Sequence, residues 1–173
     1  MKPFSKYINN DIYFKNIYKM FLSNQCKLLE DHNYYTFERG LYNTLFTLQN
    51  YGIRHIYVIS KYDWTITNHL INTLHDKDII ITNSICNTDI LRTDTDTHID
   101  TLIDKYNIKP NNTILISNNI LDMINGRNNK IYSIGLSIHT DSNQLYNKGA
   151  DYVIDNICQI PYVLEKLDGA ILE

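Results

Sequence analysis

Short β-branched segments alternate with amphipathic helical segments from about residue 35 onward, and this alternation constrains the fold more than any other feature of the sequence. The predicted strands are continuous and rich in Ile and Val, as strands buried on both faces are. They cover residues 55–60, 78–83, 113–118, 131–136 and 151–155. Strands of this kind that alternate with helices are typical of a parallel sheet with helices packed on its faces. We therefore predict an α/β fold.

The segments between these strands carry apolar residues at helical spacing. Their predicted apolar faces are formed by Tyr42, Leu45, Phe46 and Leu48, by Leu70, Ile71 and Leu74, and by Ile99, Leu102, Ile103 and Tyr106. Gly52 stands just before the first predicted strand, where a helix C-cap is expected. Lys109-Pro110 predicts the turn that precedes the third strand.

Residues 8–32 follow a different pattern, since helical spacing continues there without a strand signal. The apolar positions are Ile12, Phe14, Ile17, Tyr18, Phe21, Leu22, Leu28 and Leu29. We predict one or two helices outside the sheet. The chain is accordingly divided into a helical N-terminal segment, residues 1–33, and an α/β core, residues 34–173.

Composition excludes several classes of function. The 173 residues are enough for one domain with a core, and the apolar fraction of 43% and charged fraction of 20% are ordinary for a soluble protein. The net charge is −3 and no Lys/Arg stripe is present, which argues against nucleic-acid binding. No apolar run is long enough to cross a membrane, and no secretory signal is visible. Cys26, Cys86 and Cys158 are isolated, which predicts reduced thiols and a cytoplasmic location.

Residues 113–122, TILISNNILD, give the strongest chemical signal. The apolar strand runs into Ser117, Asn118 and Asn119, and Asp122 follows. In open α/β sheets, ligands bind outside the carboxyl ends of the strands. A magnesium or phosphate site at such an edge normally requires two carboxylates, because Mg²⁺ prefers charged oxygen ligands. This segment offers one carboxylate and one amide.

Taken in order, these segments resemble the haloacid dehalogenase-like (HAD) hydrolases, especially the phosphoglycolate phosphatase and β-phosphoglucomutase-like branch. The resemblance covers residues 34–167. Residues 37–60 are similar to the helix and strand that end in the family's hydroxyl motif. Residues 106–122 are similar to the fourth motif, usually Gly-Asp-x-x-x-Asp, and residues 145–155 (LYNKGADYVID) to the closing segment. The resemblance implies a Rossmannoid parallel sheet flanked by helices, with residues 1–33 as a short cap remnant.

The resemblance also implies roles for individual residues. The family transfers a phosphoryl group to an Asp nucleophile, with Mg²⁺ as cofactor. Ser60 matches the hydroxyl that binds the phosphoryl group, Lys61 adds positive charge beside it, and Arg92 resembles the position of the family's Lys. Asn118 and Asp122 match the two acidic positions of the fourth motif.

Each of these residues also has an ordinary structural interpretation. Ser60 is equally explained as a strand-end Ser that bonds the local backbone. Asp122 is also explained as a first-turn Asp favoured by the helix dipole. Lys61 and Arg92 are also explained as solvated surface cations. These alternatives stay open at the level of sequence.

No segment matches the family's Asp-x-Asp nucleophile motif, which follows the first core strand. Asp76-Lys77-Asp78 precedes a predicted strand, and Asp94-Thr95-Asp96 has no strand leading into it. Both are typical of turns or helix caps. We expect the matching strand upstream of Met1, with its place between the strands at 55–60 and 113–118. Those two strands then pair directly, or an N-terminal segment fills the gap, or another polypeptide supplies the strand.

Three functional hypotheses follow. The first is a degenerate HAD-like phosphatase homologue that is inactive alone and binds Mg²⁺ weakly or not at all. The second is half of a split Mg²⁺-dependent phosphomonoester hydrolase, completed by an upstream chain. The third is a non-catalytic dimerisation or binding module that uses the helix face around Phe14, Tyr18 and Phe21. The expected ligand in the first two cases is a small phosphorylated metabolite, and the third predicts a homodimer.

Overall fold

Parallel strands alternate with helices in the computed structural model, which we describe for residues 11–30, 36–86 and 98–171. The helices are α1 Asp11–Glu30, α2 Leu41–Asn50, α3 Trp64–His75, α4 His98–Tyr106, α5 Ile120–Asn128, α6 Ser142–Lys148 and α7 Ile160–Ile171. The strands are β1 Tyr57–Ile59, β2 Asn83–Ile85, β3 Ile114–Ser117, β4 Tyr132–Leu136 and β5 Tyr152–Ile154. Short 3₁₀ turns at Pro110–Asn112 and Ile157–Gln159 precede β3 and α7. The predicted α/β class is confirmed.

The strands form two parallel ladders. β1 pairs with β2, and β3, β4 and β5 form a second sheet in that order. Within the described part of the chain, β1 and β3 each have one hydrogen-bonded neighbour and do not pair with each other. Direct pairing of these two strands, one of the three arrangements expected from the sequence, is therefore wrong.

Hydrophobic contacts join the two ladders. Leu41 and Leu45 of α2 pack against the core of β4, β5 and α7 and also against the core beneath β1 and α3. Ile59 at the end of β1 packs against a third cluster that contains Leu115 of β3 and Met123 of α5. Burial of such side chains contributes about 1.5–3 kcal/mol each. The core is thus continuous across the gap between β1 and β3.

The position predicted for the second strand is wrong. The sequence predicted residues 78–83, whereas β2 covers Asn83–Ile85. Asp78 lies in a left-handed turn with φ of 60°, and Ile80 is 67% exposed between the buried Ile79 and Ile81. Ile79 and Ile81 pack on the core, but the first bond toward β1 is made where the Thr82 N–H donates to the carbonyl of Ile56, just before β1, at 2.7 Å. The other predicted strands match observed strands with slightly trimmed ends.

Gly52 ends α2 as the sequence predicted. It has φ of 90°, its N–H donates to the Gln49 carbonyl, and the Ile53 N–H donates to the Leu48 carbonyl. This pair of bonds is the Schellman motif, which favours Gly because the position is left-handed. The turn directs the chain from α2 into β1.

The N-terminal segment contains one long helix, α1, which packs against α3. The Tyr18 hydroxyl donates to Asp63 Oδ2 at 3.3 Å, while Asp63 Oδ1 accepts the Thr65 N–H at 2.9 Å and caps α3. His69 Nε2 lies 3.3 Å from the Leu29 carbonyl oxygen. Burial and the Asp63 carboxylate raise the pKa of Tyr18, which keeps its hydroxyl a donor. The domain boundary at residue 33 stays a prediction. Among the described helices, none is long and apolar enough to span a bilayer.

Candidate functional site

The carboxyl ends of β1, β3 and β4 meet at one open pocket. Lys61 after β1, Asn118 and Asn119 after β3, and Thr140 after β4 line it, together with Ile120. Its volume is about 290 Å³. The structure thus brings Lys61 and Asn118 to the same concave surface, although they are far apart in the sequence and follow strands of different ladders. An open parallel sheet places ligands at this edge.

Side-chain bonds fix the turn after β3. The Ser117 hydroxyl donates to Asp122 Oδ2 at 2.6 Å and accepts the Asn119 N–H at 3.1 Å. Asn119 Oδ1 accepts the Leu121 N–H at 3.0 Å and so caps α5. Ser and Asn are suited to these roles because their short polar side chains reach nearby backbone groups. The turn is therefore held by its own residues.

Asp122 is half-buried in the first turn of α5, and its carboxylate is engaged by Ser117. This contact, together with the favourable dipole at the start of the helix, gives Asp122 a structural role. In the sequence Ser117 was identified only as the residue that ends the strand, and its partnership with Asp122 was missed. A hydroxyl five residues before a carboxylate across a strand-to-helix turn is the signal that could have shown it.

Asn118 is exposed, and its backbone carbonyl accepts a bond from the Thr140 hydroxyl at 2.8 Å. Thr140 was not identified from the sequence. No local pattern marks it as a site residue, because its contact with Asn118 depends on how the loop after β4 returns to β3. The bond joins two of the loops that form the pocket.

The turn after β3 offers one carboxylate and one amide at the two positions that the resemblance assigns to metal ligands. Across residues 11–30, 36–86 and 98–171, no group of three or more His, Cys, Asp or Glu side chains is placed to hold a metal ion. The fourth-motif turn offers the neutral amide of Asn118 and the carboxylate of Asp122, which Ser117 already engages. Mg²⁺ requires hard, preferably charged oxygen ligands in an octahedron.

Ser60 lies at the end of β1 and is 8% exposed. Its oxygen accepts the Tyr62 N–H at 3.1 Å and the Thr67 hydroxyl at 2.7 Å. A hydroxyl has two lone pairs and one proton. These two bonds use both lone pairs of Ser60, so its hydroxyl can act further only as a donor. Lys61 next to it is exposed.

The remaining candidate residues lie either outside the described residues or away from the pocket. Arg92 lies outside the described residues, as do Asp94 and Asp96. Asp76 is the C-cap of α3 and Asp78 is in the turn that follows, both exposed, as predicted for a surface turn. Neither of these two carboxylates lines the pocket beside Lys61.

The fold defines a class. The sequence matches no protein-family model and no curated protein. The structure is similar to a phosphonoacetaldehyde hydrolase-like protein from Oleispira antarctica, with a TM-score of 0.67 and 15% identity over 94% of this chain and 67% of that one. It is also similar to a predicted phosphatase from Clostridium acetobutylicum, with a TM-score of 0.61 and 25% identity over 73% of this chain and 59% of that one. This chain therefore shares the α/β architecture of these two proteins.

A third solved structure has a similar architecture. A predicted phosphoglycolate phosphatase from Haemophilus somnus matches with a TM-score of 0.61 and 12% identity, over 73% of this chain and 56% of that one. The fold of this chain is that of the HAD-like hydrolases, which confirms the resemblance at the level of architecture. The chain spans 56–67% of the length of these three proteins.

We predict that Ser117→Ala and Asp122→Ala are coupled. Removing either partner should lower the free energy of unfolding by about 1–2 kcal/mol, because a bond to a charged group is lost from a half-buried site. The double variant should cost less than the sum by about 1 kcal/mol. Urea denaturation of the four proteins measures the coupling, and the pair Asn118→Ala and Asp122→Ala serves as the uncoupled control. Strict additivity for Ser117 and Asp122 would contradict the role assigned to their bond.

Proposed function

We propose that this chain is a HAD-like phosphatase homologue that has no phosphatase activity by itself. The observation that supports this most strongly is the turn after β3, where an amide stands at one acidic position and Ser117 engages the carboxylate at the other. An anionic nucleophile that approaches a phosphate dianion needs a cation to offset the repulsion. We propose that the amide and the single carboxylate of this turn do not hold Mg²⁺ as that cation.

The pocket is better suited to holding a phosphate group than to hydrolysing it. Lys61 brings a positive charge and the Asn118 amide brings neutral donors. Ser60 is buried directly before Lys61, and we propose its hydroxyl as a further donor on the basis of the resemblance. We propose Arg92 as a further cation, on the basis of the resemblance alone. The ligand class that fits these groups is a small phosphorylated metabolite.

Two related properties stay predictions. We propose that Mg²⁺ binds weakly or not at all, because one neutral oxygen replaces a carboxylate. We also propose a cytoplasmic location, which is supported by the Cys158 thiol, since it forms no disulfide within the described part of the chain.

We predict that the purified chain does not hydrolyse p-nitrophenyl phosphate in the presence of Mg²⁺. The physical reason is that the residues lining the pocket include no carboxylate, either as a nucleophile or as a ligand for Mg²⁺. Release of p-nitrophenol is followed by absorbance against a no-protein blank. Turnover that disappears in both Asp122→Ala and Ser60→Ala would overturn the proposal, whereas turnover that persists in both variants indicates a contaminating phosphatase and leaves the expected result intact.

A split hydrolase is the second candidate function. It is favoured by the edges of β1 and β3 that have no ladder partner among residues 11–30, 36–86 and 98–171. The Ile56 carbonyl and the Ser60 N–H bond to the β2 side. Because alternate residues of a parallel strand direct their backbone groups to opposite neighbours, Tyr57 and Ile59 direct theirs away from β2. On β3, Ile116 is 37% exposed although it lies within the strand. Unpaired edges of this kind accept an added strand.

For the split hydrolase, we predict that the reading frame upstream of Met1 encodes a strand that ends in Asp-x-Asp. Co-expression of that segment should slow amide exchange at Tyr57 and Ile59 at least about tenfold, because their N–H groups would join a ladder. It should also produce Mg²⁺-dependent phosphatase activity. Val58, whose amide faces β2, is the internal control for the NMR exchange measurement. An upstream frame without such a strand, or unchanged exchange at Tyr57 and Ile59, would exclude the split enzyme.

A binding or dimerisation module is the third candidate function. The exposed apolar residues of α1 are Ile17, Met20, Phe21 and Leu28, at 45–67% exposure. Tyr18, which the sequence assigned to this face, instead bonds to Asp63, and the side chain of Phe14 lies outside the described residues. The face is thus rotated from its predicted position, because the Tyr18 side of the helix packs on α3.

If α1 mediates dimerisation, the chain should sediment as a dimer at micromolar concentration. Phe21→Lys should shift it to a monomer by placing a charge in the apolar face. Lys19→Glu, a charge change on an exposed position of the same helix, is the matched control and should leave the dimer intact. Analytical ultracentrifugation measures all three proteins. A stable monomer for the unaltered chain would rule out this assembly.

A further inference from the structure

A second pocket lies at the opposite edge of the three-stranded sheet, where the strands begin. Its volume is about 390 Å³, larger than that of the pocket beside Lys61. Such a volume falls within the range of small-ligand sites. Its walls come from the turn before β3, the end of α5, the start of β4 and the turn before β5, and its polar lining residues are Asn111, Arg127, Lys130, Tyr132 and Asp151.

The charges in this pocket are mainly positive. Arg127 and Lys130 are exposed, and neither makes an ion pair within the described residues. The one lining carboxylate, Asp151, accepts the Ser133 N–H at 2.7 Å. Burial and the Asp151 carboxylate raise the pKa of Tyr132, so its hydroxyl keeps its proton. The pocket therefore presents two cations and a phenol donor around one carboxylate that already has a partner.

The backbone at Lys130 supplies a second observation. Lys130 follows α5 with φ of 57°, and its N–H donates to the Arg127 carbonyl while the Ile131 N–H donates to the Gly126 carbonyl. This Schellman motif favours Gly or Asn at the left-handed position. The comparable positions after α2, α3 and α4 hold Gly52, Asp78 and Asn107. A cation near a helix C-terminus complements the dipole, which explains Arg127 but not a lysine in the strained position.

We propose that this pocket binds a small multivalent anion, namely a phosphate group or a compact polycarboxylate, through Arg127 and Lys130. Charge-assisted bonds from a guanidinium and an ammonium group are the strong contacts for such ligands. The Tyr132 hydroxyl and the Asn111 amide are the neutral donors. The site lies at the amino edge of the strands and is separate from the pocket at Lys61 and Asn118, so it does not depend on the proposed function.

NMR titration of the full chain tests this site. Inorganic phosphate and citrate are added separately, with sodium chloride adjusted to hold ionic strength constant. We expect saturable shifts of the Lys130, Ile131 and Gly149 amides, with a Kd on the order of 1 mM for at least one of the two anions. Saturation by phosphate or by citrate alone assigns the ligand to that class of anion.

The variants separate binding from folding. Arg127→Gln should weaken binding about tenfold, as expected for the loss of one charged bond. Lys130→Gly should weaken binding at least about fivefold and at the same time raise Tm by about 2–4 °C, because Gly relieves the left-handed position. Lys77→Gln, an exposed cation after α3, is the control and should leave the affinity unchanged.

Three results would overturn the proposal. The first is the absence of saturable shifts with either anion. The second is shifts confined to the surroundings of Lys61 and Asn118, which would place the anion in the other pocket. The third is a Lys130→Gly variant that is more stable but binds with unchanged affinity, since Lys130 would then be a turn residue only.

Discussion

In the described part of the chain, hydrophobic contacts and not a strand ladder join the β1–β2 ladder to the β3–β4–β5 sheet. Leu41 and Leu45 of α2 pack against the clusters on both sides, and Ile59 reaches the cluster that contains Leu115. A ladder would fix the relative position of β1 and β3 through directional bonds, whereas apolar contacts are non-directional. The relative position of the loops that follow β1 and β3 at the carboxyl edge therefore depends on the packing of these side chains.

The pocket at the carboxyl edge is built from both ladders. Lys61 follows β1 and Asn118 follows β3, so the wall that each forms belongs to a different ladder. The turn after β3 is internally fixed by Ser117, Asp122 and Asn119. The half that carries Asn118 is thus locally rigid, while its distance from Lys61 is set by packing. A ligand that contacts both would add the cross-connection that the backbone lacks.

The sequence predicted those features that depend on local pattern. The strand at 114–117 was recognised from its apolar run and following polar turn, and Gly52 was recognised because a left-handed helix end favours Gly. The sequence did not predict the features that depend on contacts between residues far apart in the chain. β2 begins at Asn83, directly after the bond between Thr82 and Ile56, and so overlaps only the last residue of the predicted strand 78–83. The bond from Thr140 to Asn118 and the rotation of the apolar face of α1 likewise depend on tertiary contacts.

Asp63 links the N-terminal helix to the pocket. One of its oxygens caps α3, the other accepts the Tyr18 hydroxyl, and it stands two residues after Lys61. The loop that carries Lys61 is therefore anchored at its far end by α1 as well as by the sheet. In evolutionary terms, the N-terminal segment is not a freely exchangeable module. A replacement helix would have to supply its own donor to Asp63, or the exchange would alter the setting of Lys61 as well as the outer surface of the protein.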